Sequence, residues 1–384
     1  MTPAARLTAA IEVLDRILAG APAEQALTNW GRASRFAGSG DRHAVRDLVY
    51  DALRCKRSFA ALGGAETGRG LILGGLRAQD ADIASLFTGE GHAPAQLTEA
   101  DAAQVPAGFA ALDCPDWLGP QLQASLGADF EPVMRALQHR APVFLRVNLR
   151  KTSLAAAQAA LRQDGIETVA HDLSKTALQV TDNARKIQNS TAYLSGLVEL
   201  QDAASQAVTD LVPVRDGQRV LDYCSGGGGK ALALAARARL QMFAHDADPR
   251  RMRDLPDRAK RAGVSVTITD NAAKTEPYDV ILTDVPCSGS GSWRRDPQGK
   301  WALTAAKLTA VCTLQSAILD KVAPLLAVNG VLAYATCSML RAENEAQVTG
   351  FLQRHSGWSS PVQRRFTPLH GADGFFVALL TREN

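Results

Sequence analysis

From about residue 200 to its end, this 384-residue chain alternates strand-like and helix-like segments, a pattern that constrains its fold more than any other feature. The strand-like runs are RVLDYC (219–224), QMFAHDA (241–247), VSVTITD (264–270), YDVILTDVP (278–286) and GVLAYATCS (330–338), with FFVALLT (375–381) closing the chain. Helical patterns fit between them at 229–239, 249–262, 304–323 and 343–354. Alternation of this kind predicts an open, mostly parallel α/β sheet of Rossmann-like type. In such sheets ligands sit outside the carboxyl ends of the strands, near the point where strand order reverses.

The rest of the chain has a different character, and its length predicts more than one domain. In the first 60 residues, Leu7, Ala10, Ile11, Leu14 and Leu18 share one helical face, and Val45, Leu48, Val49 and Leu53 share another. Ala/Leu-rich helices continue to about 130, with an irregular stretch near 91–108, so residues 1–130 are expected to be all-α. VFLRVN (143–148), a helix capped by Ser153, and the strands GIETVAHD and ALQVTD form a small α+β module over 131–200, resembling one ferredoxin-like half. Residues 201–384 then make the sheet domain.

The first strand of that domain runs into Cys224-Ser225-Gly226-Gly227-Gly228-Gly229-Lys230 and an Ala/Leu helix. Glycines permit a sharp turn and close approach of the backbone to a ligand, and the helix N-terminus behind them favours a negative group. The loop is neither GxxxxGK[ST] nor GxGxxG, and alone it reads equally well as a tight turn. The later strands shift that balance. They end at Asp246, placed to accept ribose hydroxyls; at Asp270, next to Asn271 and able to face an adenine amino group; and at Asp284. Each acid alone would be a solvated loop residue or helix cap. Together they suit a nucleoside-bearing cofactor, S-adenosylmethionine rather than NAD.

A net charge of +3 gives no global cationic field, so any phosphate-binding surface must be local. Six cysteines occur without CxxC or zinc-type spacing, and no metal site is expected. The absence of a signal-like N-terminus or bilayer-length apolar run predicts a cytoplasmic protein with free thiols and no membrane partner. Cys55, Cys114 and Cys312 read as small buried hydrophobes, Cys224 as packing beneath the glycine loop. Cys287 and Cys337 differ, because each lies in a Gly/Ser/Thr-rich turn at the end of a strand facing the expected cleft. One chemistry that needs two thiols is methylation of cytosine C5. Addition of a thiolate to C6 moves electron density onto C5, and a second group then helps release the product. Asp284 could hydrogen-bond the base, which must be unstacked to reach the pocket.

These motifs resemble the RNA (cytosine-5) methyltransferases of the RsmB/Nop/Sun family. DYCSGGGGK stands for that family's D-x-C-A-A-P-G-G-K, DVPCSGSGSWRRDPQGKW for its D-A-P-C-S-G-T-G with R-R-x-P and K-W, and YATCSMLRAENE for its Y-A-T-C-S and E-N-E. LRVNLRKTS, LQDAASQAV and HGADGFFVALL also match, so the resemblance covers 142–384, while the N-terminal helices are similar to a NusB-like RNA-binding domain. The resemblance implies that Cys337 attacks and that Cys287 assists release. It also implies that Cys224, Ser225, Gly226, Gly227, Gly228, Gly229, Lys230, Asp246, Asp270 and Asp284 contact S-adenosylmethionine. Spacing alone does not choose between the two thiols. One departure stands out: Ser225-Gly226-Gly227 replaces Ala-Ala-Pro, which predicts a freer loop and weaker cofactor binding.

Arg294, Arg295 and Lys300, interleaved with Trp293 and Trp301, suit contact with phosphates and unstacked bases. Arg146 and Asn148 are expected to help seat RNA. The expected protein is therefore a monomeric RNA cytosine-5 methyltransferase acting on ribosomal RNA. Alternatives are a tRNA cytosine-5 methyltransferase and a weakly active RNA-binding assembly factor of the same fold. A DNA cytosine-5 methyltransferase is disfavoured by the TCS motif.

Overall fold

The computed structural model describes residues 1–382. The chain divides into two compact units, Met1–Arg140 with Trp293–Leu303, and Ala141–Ser292 with the remainder.

The first unit is helical. Helix Pro3–Leu18 begins at Thr2, whose hydroxyl accepts from the Ala5 amide, and Pro3 fits the first turn because no partner is lost there. Its buried face, Leu7, Ala10, Val13, Leu14 and Ile17, packs on helices Ser39–Arg54 and Gly68–Ala78. Residues 81–107 contain only one short 3-10 turn, Glu99–Asp101, a wider irregular stretch than the sequence indicates. Helix Phe130–Leu137 stays with this unit, so the division falls ten residues later than expected from sequence.

The second unit holds two sheets. β1 (Val143–Val147), β2 (Glu167–Ala170), β3 (Ala177–Asp182) and β4 (Val198–Leu200) form an antiparallel sheet in the order β2-β3-β1-β4. Ser153 caps helix Leu154–Gln163 by accepting from the Ala156 amide. The three-residue β4 is too short to leave a sequence period.

β5 (Arg219–Asp222), β6 (Gln241–Ala244), β7 (Thr267–Ile268), β8 (Tyr278–Asp284), β9 (Leu326–Thr336), β10 (Trp358–Phe366) and β11 (Phe375–Arg382) build the larger sheet, in the order β10-β11-β9-β8-β5-β6-β7. The run from β9 to β7 is parallel, and β11 and β10 add antiparallel. Both faces are covered, so residues alternate between two apolar layers. Val220, Val280, Leu282, Ala333 and Val377 face one, and Leu221, Ile281, Leu332, Tyr334 and Phe376 the other. β10 was not expected from sequence. Pro361 interrupts its pattern, and an edge strand with a register shift between Ser359 and Val362 tolerates that proline. β7 keeps only two of the seven residues expected, both exposed at the opposite edge. The helix expected over 249–262 is broken into a 3-10 turn, Pro249–Met252, and helix Leu255–Ala262, which Pro256 helps start.

Candidate active site at the switch point of the large sheet

Chain order runs from β5 outward to β6 and β7, then returns to β8 and β9 on the other side of β5. The carboxyl ends of β5 and β8 therefore flank the switch point. The parallel register pairs Asp284 with Ala335, and the Val285 amide donates to Ala335 carbonyl at 3.0 Å. That register sets the turns after β8 and β9 side by side. Cys287 Sγ lies 3.3 Å from Cys337 Sγ, and both thiols are half-buried.

Asp284 accepts from Lys230 Nζ at 2.6 Å, and the same ammonium lies 4.9 Å from the Phe375 ring centre. Burial alone would lower the Lys230 ammonium. The Asp284 carboxylate outweighs burial and, with charge on Cys337, holds Lys230 above its ordinary value. Lys230 thus supplies positive charge near the Cys337 sulfur. The hydrogen bond with Cys337, burial, and the neighbouring charges of Cys337 and Glu343 push the Cys287 thiol well up. Cys287 is held as a thiol.

The glycine loop is firmly tied. Gly226 N donates to Asp246 Oδ2 at 2.8 Å, Ser225 N to His245 O at 2.9 Å, and Gly228 N to Ser225 O at 2.8 Å. Gly228, at φ +78°, must be glycine on two counts, since a Cβ there would also lie 2.2 Å from Leu255 Cδ1. The space left by the missing side chain of Gly227 is taken by Arg258, whose guanidinium donates to Gly227 carbonyl and pairs with Glu199. A Cβ on Gly227 would sit 2.9 Å from Arg258 Nη1. Arg251 pairs with Asp246 at 3.2 Å. The expectation of a freer loop is therefore corrected: arginines from the segment after β6 brace it.

Asp222 is buried at 1 % exposure, and neither its carboxylate oxygens nor the Ser225 hydroxyl meets a partner in hydrogen-bond geometry. Burial, then the Asp284 charge, raise Asp222 to about 7. Cys224 packs against the core and its thiol is pushed up, first by burial, then by Asp222. Asp270 is exposed beyond β7. His245 stacks on Tyr223, ring centres 4.5 Å apart, as loop packing.

A family model for 16S rRNA methyltransferase RsmB/F matches residues 209–381, and one for the ferredoxin-like domain of RsmF/B-like methyltransferases matches 114–187. Ribosomal RNA small subunit methyltransferase B of Citrobacter koseri is 33% identical over 285 residues. That match covers 70% of this chain and 66% of the relative, so the chain spans just under two thirds of the length of the curated relatives it matches. In fold, the chain is similar to the solved structure of PH0851, with a TM-score of 0.77, 22% identity, and 100% and 99% of the two chains covered. It is also similar to a methyltransferase homolog protein from Pyrococcus horikoshii, with a TM-score of 0.63, 23% identity, and 72% and 97% covered. Residues 114–187 and 209–381 thus carry the domains of the RsmB/F methyltransferase family.

Within these domains, most of the residues expected to touch RNA are turned inward. Arg146 is buried, and its guanidinium donates to Gln201 Oε1 and, at 2.7 Å, to Gly229 carbonyl at the start of the loop's helix. Burial lowers Arg146 to about 10. Asn148 donates to the carbonyls of Gly196 (3.2 Å) and Ala262 (2.8 Å). LRVN thus joins the small sheet to the large one.

Lys300 is 1 % exposed within the helical unit and donates to Arg54 carbonyl at 3.0 Å, while Trp301 Nε1 donates to Leu53 carbonyl at 2.7 Å. These carbonyls close helix Ser39–Arg54, whose last turn lacks intrahelical partners and favours a cation. Burial lowers Lys300 to about 8. Arg294 is also buried, its carbonyl accepting from Arg54 Nε at 2.8 Å. Of the five expected RNA contacts only Arg295 is exposed. The other four are buried, and Arg146, Asn148 and Lys300 spend their side-chain donors on protein carbonyls. Sequence reasoning gave no role to Arg258 or to Glu343, though Glu343 opens the E-N-E motif. Among the described residues no cluster of His, Cys, Asp and Glu is arranged to hold a metal, and no helix is long and apolar enough to cross a membrane.

Proposed function

We propose that this chain transfers a methyl group from S-adenosylmethionine to C5 of a cytosine in ribosomal RNA, with Cys337 as nucleophile. The observation that carries this reading is the pair of half-buried thiols, 3.3 Å apart at adjacent strand ends beside the Lys230–Asp284 pair. The residues present fit the cofactor. The glycine loop is held at the strand ends by its bond to Asp246, and the buried polar atoms of Asp222 and Ser225 beside it have no protein partner, as a polar ligand at this turn requires. Ser225 to Lys230, Asp246 and Asp284 would hold it, with Asp270 at the rim. When bound, the cofactor supplies an electrophilic methyl group on a sulfonium.

The protein's own groups do the rest. Cys337 attacks as its thiolate: the sulfur bonds to C6 and drives the C5=C6 electron pair onto C5. C5 then takes up the methyl group, H5 leaves to a base, and the C6–S bond breaks as the double bond returns. Cys287, held as a thiol, would protonate the departing sulfur. Asp284 would orient the base, and Arg295 would meet the RNA backbone. A cytoplasmic location follows from a ribosomal substrate.

Bisulfite sequencing of total RNA from cells with and without the gene tests this. One cytosine of small-subunit ribosomal RNA should lose its protection in cells lacking the gene. Loss in a tRNA instead would move the substrate, and no loss anywhere would contradict the reaction.

A further inference from the structure

Two thiols that act on one base must be held side by side, and these two, 3.3 Å apart, sit on separate turns. The group that joins those turns is Glu343, fully buried after β9. Its Oε1 accepts from Ser288 N at 2.7 Å and from Gln315 Nε2 at 3.1 Å, and its Oε2 accepts from the hydroxyls of Ser288 and Ser338. Ser288 follows Cys287, and Ser338 follows Cys337. One carboxylate is therefore bonded to the residue next to each thiol.

We propose that Glu343 is a positioning residue whose carboxylate clamps the Cys287 turn to the Cys337 turn and so fixes the separation of the two sulfurs. This rests on the reading that both thiols act on one base.

Hydrogen-bond polarity supports the clamp. A carboxylate offers about four acceptor sites and no donor, and here four donors converge on it. The Ser338 proton goes to Glu343, so Ser338 Oγ must accept from the Ser290 hydroxyl, 3.1 Å away. Ser290 Oγ in turn accepts from Met339 N at 2.8 Å, and Ser338 Oγ from Leu340 N at 3.1 Å. Every hydroxyl in the network has one direction, set by the carboxylate. Neighbouring groups extend it. Gln315 Nε2 also donates to Pro286 carbonyl at 2.9 Å, and Asn344 Nδ2 to Ser338 carbonyl at 2.9 Å. The Asn344 amide oxygen accepts from Thr336 Oγ1 at 2.6 Å. An amide at 343 has the same shape but would turn its hydrogens toward the Ser288 and Ser338 hydroxyls, which would have to reverse from donor to acceptor and so break the directed network. The charge of Glu343 also contributes to keeping Cys287 protonated.

The test compares wild-type protein with Glu343→Gln, using phenylarsine oxide as a probe of thiol separation. Trivalent arsenic forms two As–S bonds only when two thiols are adjacent, and its oxide oxygen leaves as water with both thiol protons. Cys287→Ala gives the background from the other cysteines. We expect Glu343→Gln to slow capture at least about tenfold. We expect kcat to fall about 100-fold, the scale of a small misplacement of reacting groups, with KM for S-adenosylmethionine within about threefold. Capture or kcat within about twofold of wild type would overturn the clamp. If Glu343→Gln does not fold, Ser288→Ala and Ser338→Ala each remove one tether and should each slow capture several-fold; unchanged capture in both overturns it. Loss of capture in Glu343→Gln, with no methyl transfer even by wild type, would support the clamp and reject the proposed reaction.

Discussion

Asp222 carries a stability signature that follows from its burial. Its carboxyl is raised to about 7, so between roughly pH 4 and 7 the folded protein keeps a proton that the unfolded chain has released. Stability from this group is therefore full below about pH 4 and is lost as pH rises through about 7, by on the order of a few kcal/mol. Urea denaturation from pH 4.5 to 8 should show that decline, and Asp222→Asn should flatten it. An identical slope in the variant would place the cost elsewhere. Position at the end of β5 was legible in the sequence, but the missing partner was not, because it depends on the distances to Ser225 and Lys230. Lys300 and Arg146 show the opposite limit. Their motifs were visible and their charge suggested phosphate, whereas the fold spends both on backbone carbonyls.

At the scale of elements, the glycine loop and the segment after β6 form one device. Arg258 occupies the space that a side chain at Gly227 would need, and a charge-assisted bond such as its contact with Gly227 carbonyl is worth about 1.5–3 kcal/mol. Arg258→Ala should weaken S-adenosylmethionine binding by about tenfold in calorimetric titration, about 1.4 kcal/mol. Gly227→Ala alone should also weaken it, through the 2.9 Å approach to Arg258 Nη1, but should add little in the Arg258→Ala background. Additive losses would contradict the brace. The sequence displayed the unusual Ser-Gly-Gly and, separately, a run of arginines between 250 and 261. Nothing in the one-dimensional pattern joined them, because the pairing is made by the turn Pro249–Met252 and the break before Pro256. β5, β6, β8 and β9 were legible because buried parallel strands read as continuous apolar runs, and β10 was not because Pro361 hid it.

For the molecule as a whole, strand order matters more than any single contact. Returning from β7 to β8 places a glycine loop, an ion pair and two thiols at one switch point, although they are separated by up to about a hundred residues of chain. That convergence was expected from the alternation of elements; the assignment of roles to the thiols came from family resemblance, and their surroundings differ. Cys287 is held protonated and Cys337 lies near Lys230. That assignment of roles is tested most directly by incubating each alanine variant with substrate RNA and S-adenosylmethionine and resolving the products on a denaturing gel. Cys287→Ala should accumulate a covalent protein–RNA adduct, because attack proceeds and release fails, and Cys337→Ala should form none. An adduct in Cys337→Ala with none in Cys287→Ala would contradict the account.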